Sequence, residues 1–306
     1  MPLSQITVAR PESGLESLGN DAAIDRLLLA QAQSLAACRK LQPELSDIIK
    51  RAANRLRNDA GRIIFVGSGA SGRLVLNTSL ELHECFGWPR ERLSVLMAEG
   101  ARGATDSVPG AGHEQGEAAR RMNNLQVTQH DVVVGVADSD TPFTRAALSI
   151  ALSRSALVVA LAPVDAVELL ALSNAPLAMP VMADVLHGAS RPAQDLAARS
   201  LLNLWSNLLM VRLNRTYKNL MVDMRAESQP LAATRIDMLR RIHPHLSEAH
   251  CVAHLGRANG WVKLAALTAV GASDDTARAL LKRFDGSHSL YLIRRTEGCR
   301  VSALPK

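Results

Sequence analysis

Five short apolar runs alternate with stretches of helical periodicity through the middle of the chain. The runs occupy residues 62–66, 93–97, 131–136, 156–161 and 178–182. Continuous apolar runs of this length are typical of parallel strands that are buried on both faces, and the helices between them supply right-handed crossovers. The pattern predicts the α/β class, with a three-layer αβα, doubly wound, five-stranded parallel sheet.

The segments on either side of the predicted sheet are helical. Apolar residues recur at helical spacing over residues 21–60, and Pro43 divides this stretch into two helices. Beyond residue 230, several short helical patterns follow one another. We therefore expect an N-terminal arm with helices over residues 1–58, a sheet domain over 59–225 and a small helical domain over 231–306.

The composition is that of a chain that folds around its own apolar core. Of its 306 residues, 47% are hydrophobic and 21% are charged, and the net charge of +6 is spread along the sequence. A spread positive charge favours an anionic small-molecule ligand, and no apolar run is long enough to span a bilayer. We expect no nucleic-acid or membrane partner.

The four cysteines form no C-x-x-C pair and the N-terminus shows no secretion signal, so we expect a cytoplasmic protein with reduced thiols.

Two predicted strand-to-helix loops are rich in small and hydroxyl-bearing residues. Their candidate phosphate-binding residues are Ser68, Gly69, Ala70, Ser71, Gly72 and Arg73 in the first loop, and Ser139 and Thr141 in the second. Loops after neighbouring parallel strands meet at one edge of a sheet, where a helix start can bind an anion. The first loop also has the glycine spacing of a dinucleotide site, but no acidic residue ends the second run at Met97. A tight turn without a ligand is the alternative.

Three short motifs carry a resemblance to a known family. Residues 67–74 read G-S-G-A-S-G-R-L against the family's G-A-G-T-S-G-R-L, residues 188–191 read G-A-S-R against G-S-T-R, and residues 217–223 read Y-K-N-L-M-V-D against Y-G-N-L-M-V-D. The chain thus resembles the sugar isomerase (SIS) domain family, and within it the N-acetylmuramic acid 6-phosphate etherases. The resemblance covers roughly residues 20–290 and includes the small helical region at the C-terminal end.

The resemblance implies cofactor-free cleavage of the lactyl ether of an amino-sugar 6-phosphate, by elimination and then addition of water. Glu81 takes the position of the family's first catalytic glutamate, and the two loops hold the phosphate. Ser190 and Arg191 close the sugar or carboxylate site. The resemblance also implies a homodimer, in which Trp205 and Leu209 face the second subunit. No metal ion or cofactor is expected.

Several positions depart from the family pattern. Pro109 stands where the family has its second glutamate, and Glu99 stands where it has glycine. Asp138 and Asp140 bring negative charge into the second loop, which would repel a phosphate unless they point away. The residues that could replace the missing carboxylate are Asp106, His113 and Glu114. These departures favour a second hypothesis, a catalytically impaired sugar-phosphate-binding regulatory or sensor protein, and leave a third, an aldose–ketose isomerase or another sugar-phosphate activity.

A cluster of histidines lies in the predicted C-terminal helices. Its members are His243, His245, His250, Cys251 and His254. The spacing of His250 and His254 could place two metal ligands on one helix face, but neither an H-E-x-x-H motif nor a paired cysteine accompanies them. We interpret them as surface histidines.

Overall fold

The computed structural model describes residues 14–57, 60–181, 184–186, 188, 192–224 and 229–283. Its strands are β1 (Ile63–Gly67), β2 (Leu93–Met97), β3 (Val132–Val136), β4 (Leu157–Pro163) and β5 (Ala175–Met179). All pair in parallel, in the spatial order β2-β1-β3-β4-β5. The chain runs outward in opposite directions from β1 and from β3, so the sheet is doubly wound with its switch point between these strands, as predicted.

Helices cover both faces of the sheet and confirm the three-layer architecture. In chain order they are α1 (Asn20–Cys38), α2 (Gln42–Leu56), α3 (Gly69–Phe86), α4 (Gln115–Asn124), α5 (Pro142–Ser153), α6 (Val167–Ala171), α7 (Pro192–Arg212), α8 (Gln229–Ile242), α9 (Glu248–Arg257), α10 (Val262–Ala269) and α11 (Asp274–Arg283). Ile63 and Phe65 of β1 pack towards α2, α3 and α7, while Ile64 and Val66 pack towards α4 and α5. This alternation is the two-residue period of a strand buried on both faces.

The fifth strand lies three residues earlier than the sequence predicts. It begins at Ala175, includes Pro176 and ends at Met179, whereas the apolar pattern suggested residues 178–182. Proline lacks the N–H that a strand donates, so it is normally read as a strand boundary. β5 is an edge strand, paired with β4 on one side, and proline is tolerated at such an edge.

The long helix α7 buries one apolar face within its own subunit. Trp205 packs edge-on against Phe65 with ring centroids 6.1 Å apart, and Leu209 is fully buried. The prediction that these two residues face a second subunit is therefore wrong. The apolar residues that α7 exposes are Leu204, Leu208 and Val211, a spacing that places all three on another stripe of the same helix.

The motif at residues 217–223 forms a tight turn. Tyr217 and Leu220 exchange backbone hydrogen bonds of 2.9 and 2.8 Å, and the two residues between them have positive φ. Asp223 follows this turn at the end of the motif. Its buried carboxylate accepts hydrogen bonds from Lys263 Nζ at 2.7 Å and from Trp261 Nε1 at 2.8 Å. This network joins the end of the turn to the C-terminal helices.

Candidate functional site

The loop after β1 is short, and α3 begins within it. Ser68 is extended, and Gly69 is the first helical residue with φ of +56°. Ala70, Ser71 and the following residues therefore belong to the first turn of α3, not to an open loop. The first N–H groups of a helix lack partners within the helix and carry partial positive charge, so this turn can bind an anion.

Two of the glycines in this segment serve packing. A Cβ on Gly67 would lie 2.9 Å from the backbone nitrogen of Gly72, and a Cβ on Gly72 would lie 3.3 Å from the carbonyl oxygen of Gly67. Both are buried, and their contact allows α3 to start close against the end of β1. The structure thus explains Gly72 without a ligand.

The loop after β3 is held in place by its own acidic residues. Asp140 Oδ1 accepts a 2.7 Å hydrogen bond from the backbone N–H of Leu169, in the first turn of α6. Its carboxylate therefore points towards α6. Asp138 is exposed and accepts a 3.2 Å hydrogen bond from the hydroxyl of Ser139. Of the two carboxylates expected to repel a phosphate, Asp140 is thus directed elsewhere.

The two predicted phosphate loops meet around Gly112. A Cβ built on this glycine would lie 3.3 Å from Thr141 Cγ2 and 3.5 Å from Ser68 Oγ. Residues 111–113 form a short 3₁₀ turn that lies over the carboxyl ends of β1 and β3. Ser68 and Thr141 therefore lie on either side of Gly112. The threonine presents its methyl group to the glycine, while its hydroxyl donates a 3.3 Å hydrogen bond to the carbonyl oxygen of Ser139.

An open cleft of about 520 Å³ runs beside the start of α3 and along α7. Its polar lining includes Ser71, Arg73, Asn77, Asp195 and Arg199. Arg73 also donates a 3.4 Å hydrogen bond to the carbonyl oxygen of Gly103. Two arginines against one aspartate give the cleft a positive balance, which suits an anionic ligand. Sequence reasoning missed Asp195 and Arg199, because only the packing of α7 against α3 brings them here.

Glu81 lies apart from the first of the two predicted phosphate loops. It is exposed on α3, ten residues beyond Ser71, which corresponds to about 15 Å along a helix axis. Burial raises the pKa of the neighbouring Cys85 thiol, and the carboxylates of Glu81 and Glu84 raise it further.

The other expected residues fall into two groups. Ser190 and Arg191 lie outside the described residues. The position of the family's second glutamate, Pro109, is exposed, and so are the three candidates to replace it, Asp106, His113 and Glu114. Asp106 forms a 3.9 Å ion pair with Arg102.

Glu99 makes a contact that its position in the sequence does not reveal. It follows β2, and its Oε1 accepts a 2.7 Å hydrogen bond from the backbone N–H of Gly69. The pairing of β1 with β2 brings Glu99 close to Gly69, because the backbone N–H of the preceding residue, Ala98, donates to the carbonyl oxygen of Gly67 at 3.0 Å. A carboxylate thus sits on the first amide of α3, the place expected for a ligand anion.

The histidines of the C-terminal helices make local contacts, and the rings of His243 and His245 lie edge to face with centroids 5.7 Å apart. His243 is buried, contrary to the prediction of a surface residue, and its Nε2 lies 3.0 Å from the carbonyl oxygen of Ala266. His250 Nδ1 lies 2.9 Å from the Ser247 hydroxyl. Burial lowers the pKa of His254, and the charge of Arg257 lowers it further. The described part of the chain contains no group of three or more side chains placed to hold a metal ion.

Membrane insertion through a helix finds no support in the described ranges. None of the helices there combines the length and the apolar character that a bilayer crossing needs.

Comparison with known proteins identifies close relatives. The N-acetylmuramic acid 6-phosphate etherase of Deinococcus radiodurans is 33% identical over 269 residues, which cover 88% of this chain and 84% of the relative. The protein of the same name from Rubrobacter xylanophilus is 32% identical over 277 residues, covering 89% and 90% of the two chains. That of Rhodopirellula baltica is 30% identical, covering 90% and 91%.

Other comparisons are less informative. No family model matches the chain. Among solved structures, phosphoheptose isomerase from Neisseria gonorrhoeae superposes with a TM-score of 0.45 at 18% identity, covering 60% of this chain and 98% of that one, which is too weak a likeness to support a conclusion. The identity to the relatives is high enough, and extends over enough of both chains, to settle the family. This chain belongs to the N-acetylmuramic acid 6-phosphate etherase family.

Proposed function

We propose that this protein cleaves the lactyl ether of N-acetylmuramic acid 6-phosphate, releasing lactate and N-acetylglucosamine 6-phosphate. The observation that carries the proposal is identity of 30–33% to etherases over 84–91% of their length. The position of Ser68 and Thr141 on either side of Gly112 supports it, because donors from both loops can then act on one phosphate.

The phosphate is held by the start of α3 and by the loop after β3. Ala70 and Ser71 supply backbone N–H groups of the first helical turn, and Ser68 and Thr141 supply hydroxyl groups. Arg73, which lines the adjacent cleft, offsets the negative charge of the phosphate. Ser139, which is exposed in the loop after β3, completes the set of hydroxyl donors. Ser190 and Arg191 keep their proposed role at the sugar or carboxylate end, on the resemblance alone.

Glu81 acts as the acid or base of the reaction. Elimination removes the proton from the carbon next to the carbonyl of the open-chain sugar and breaks the bond between the following sugar carbon and the lactyl oxygen. A double bond forms between these two carbons, and lactate leaves after its oxygen is protonated. Water then adds across the resulting double bond. A carboxylate can carry either proton transfer, and such a group contributes roughly 100-fold or more to the rate.

A homodimer places Glu81 beside a substrate held by the other subunit. Glu81 is about 15 Å along α3 from the phosphate loop of its own chain, so the site is incomplete in one subunit. The exposed stripe of Leu204, Leu208 and Val211 on α7, together with exposed Leu28 and Leu35 on the adjacent α1, supplies an apolar surface for the contact.

The second subunit is tested by size-exclusion chromatography with light scattering. The wild-type protein is expected at twice the monomer mass, and Leu208→Glu is expected to give monomer with loss of activity. Val252→Glu is the control, since this residue of α9 is exposed to a similar degree but lies away from α7. A monomeric and fully active wild type contradicts the dimeric site.

The reaction is tested by incubating the purified protein with N-acetylmuramic acid 6-phosphate and measuring released lactate. We expect turnover, a loss of roughly 100-fold or more in Glu81→Gln, and near-normal turnover in Glu84→Gln. The control glutamate lies on the same exposed part of α3, three residues further on. Absence of lactate with folded, dimeric protein refutes the proposal.

A second candidate function is binding of the phosphosugar without turnover. It is favoured by Pro109, because proline can neither accept nor donate a proton at the position of the second glutamate. This candidate predicts a thermal shift with N-acetylglucosamine 6-phosphate and no lactate from the etherase substrate. The remaining sugar-phosphate isomerase hypothesis is tested in the same preparation by incubating aldose phosphates and detecting ketose.

The cellular location is proposed to be the cytoplasm. The three cysteines within the described ranges, Cys38, Cys85 and Cys251, are free thiols, as expected in a reducing compartment.

A further inference from the structure

Glu99 contacts the first residue of α3 through one of its two carboxylate oxygens. Glu99 Oε1 accepts a 2.7 Å hydrogen bond from the N–H of Gly69, the first residue of α3. The other carboxylate oxygen, Oε2, is buried, and it has no hydrogen-bond partner among the described residues. The side chain is therefore placed by one strong contact, and half of its hydrogen-bonding capacity is unused.

The surroundings of Glu99 make room for this inward position. A Cβ on Gly103 would lie 2.7 Å from Glu99 Cβ and 3.1 Å from Glu99 Oε2, which a real side chain could not do. Gly103 is buried, and its carbonyl oxygen accepts a hydrogen bond from Arg73. The segment after β2 is thus fitted against the first turns of α3 with the carboxylate inside.

A carboxylate and a phosphate compete for the same kind of donor. Both are anions that accept hydrogen bonds from the unpaired N–H groups at a helix start, where the helix dipole favours negative charge. With Glu99 on Gly69, one of these amides is already occupied. A phosphate dianion that arrives at Ala70 and Ser71 also meets a like charge on Glu99, which opposes binding.

We propose that Glu99 is a specificity-determining residue that competes with the ligand phosphate for the Gly69 amide. The phosphate gains this amide only when the Glu99 side chain swings out. The affinity of the site for phosphorylated sugars is therefore set low by the protein's own carboxylate. The inference rests on the proposed function for the location of the phosphate, but it does not depend on catalysis.

Binding of N-acetylglucosamine 6-phosphate by isothermal titration calorimetry tests the proposal. Glu99→Ala removes the competitor, and we expect roughly tenfold tighter binding or more. Glu99→Gln keeps a hydrogen-bond acceptor without the charge, and we expect an intermediate gain. The gain must depend on the phosphate, so N-acetylglucosamine without phosphate serves as the second ligand and is expected to show no change.

Glu91→Gln is the matched control, because it removes one negative charge from an exposed glutamate at the opposite end of β2. Equal or weaker binding in both Glu99 variants overturns the proposal, and so does an equal gain in Glu91→Gln, which would indicate net charge alone. Failure of every variant to bind the phosphosugar also overturns it. Lactate release is measured separately: tighter binding in Glu99→Ala without lactate from any variant rejects the etherase activity and leaves the competition intact.

Discussion

Replacing Asp223 by alanine is expected to destabilise the protein strongly. Asp223 and Lys263 are 4% and 3% exposed, and their charged atoms are 2.7 Å apart. Lys263 Nζ also donates to the carbonyl oxygen of Asn214 at 2.6 Å, and Trp261 Nε1 donates to the aspartate. The substitution removes the carboxylate that faces a buried ammonium group. Breaking a buried pair in this way costs about 3–5 kcal/mol in free energy of unfolding.

Urea-induced unfolding followed by tryptophan fluorescence measures this loss, with Trp261 reporting from within the network. The double variant Asp223→Ala, Lys263→Met removes both members of the buried pair and leaves Arg215, which lies 3.5 Å from the carboxylate and is partly exposed. This variant is expected to recover at least about 1.5 kcal/mol relative to the single variant. Asp237→Ala is the control, because its 2.8 Å pair with Arg241 is exposed and should contribute under about 1 kcal/mol. An Asp223→Ala protein within about 1 kcal/mol of wild type refutes the reasoning.

Three further substitutions test other features of the fold. Lys218→Gly should raise the free energy of unfolding by about 0.5–1 kcal/mol in urea titrations, because Lys218 has φ of +45°; a loss would contradict this. Gly87→Ala should lower it by about 2 kcal/mol or more, because the added Cβ would lie 2.3 Å from the carbonyl oxygen of Asp223; a normal melting temperature would contradict this. Burial raises the pKa of Asp131, but hydrogen bonds led by that from Arg62 outweigh it and hold the pKa below its usual value. Its stabilising effect is thus present above the unfolded-state pKa and lost as the pH falls through the folded one, so the stability gap between wild type and Asp131→Asn should shrink from about pH 5 to pH 2; a constant gap would contradict this.

The sheet was predictable because its three central strands, β1, β3 and β4, are buried on both faces. The apolar runs at β1 to β4 fall within two residues of the strands in the structure. β5 was misplaced because Pro176 resembles a boundary in the sequence, and the edge position that tolerates it is a property of the assembled sheet.

The sequence could predict only those parts of the candidate site that are formed by residues close together along the chain. The loop proposed to bind phosphate follows directly from its strand, and Glu81 was marked by the resemblance alone. The direction of Asp140 depends on Leu169, which lies 29 residues further along the chain. The contact of Glu99 with Gly69 spans 30 residues and exists only because β1 and β2 pair. Sequence spacing carries no information about either contact.

The hydrogen bond from α6 to Asp140 has a kinetic consequence. Because it anchors the segment that carries Ser139 and Thr141 before any ligand arrives, the conformational entropy of that segment is already lost in the free protein. Association of a phosphosugar at Thr141 should therefore not require this loop to close. The association rate should be set by diffusional encounter and by movement of the Glu99 side chain away from Gly69.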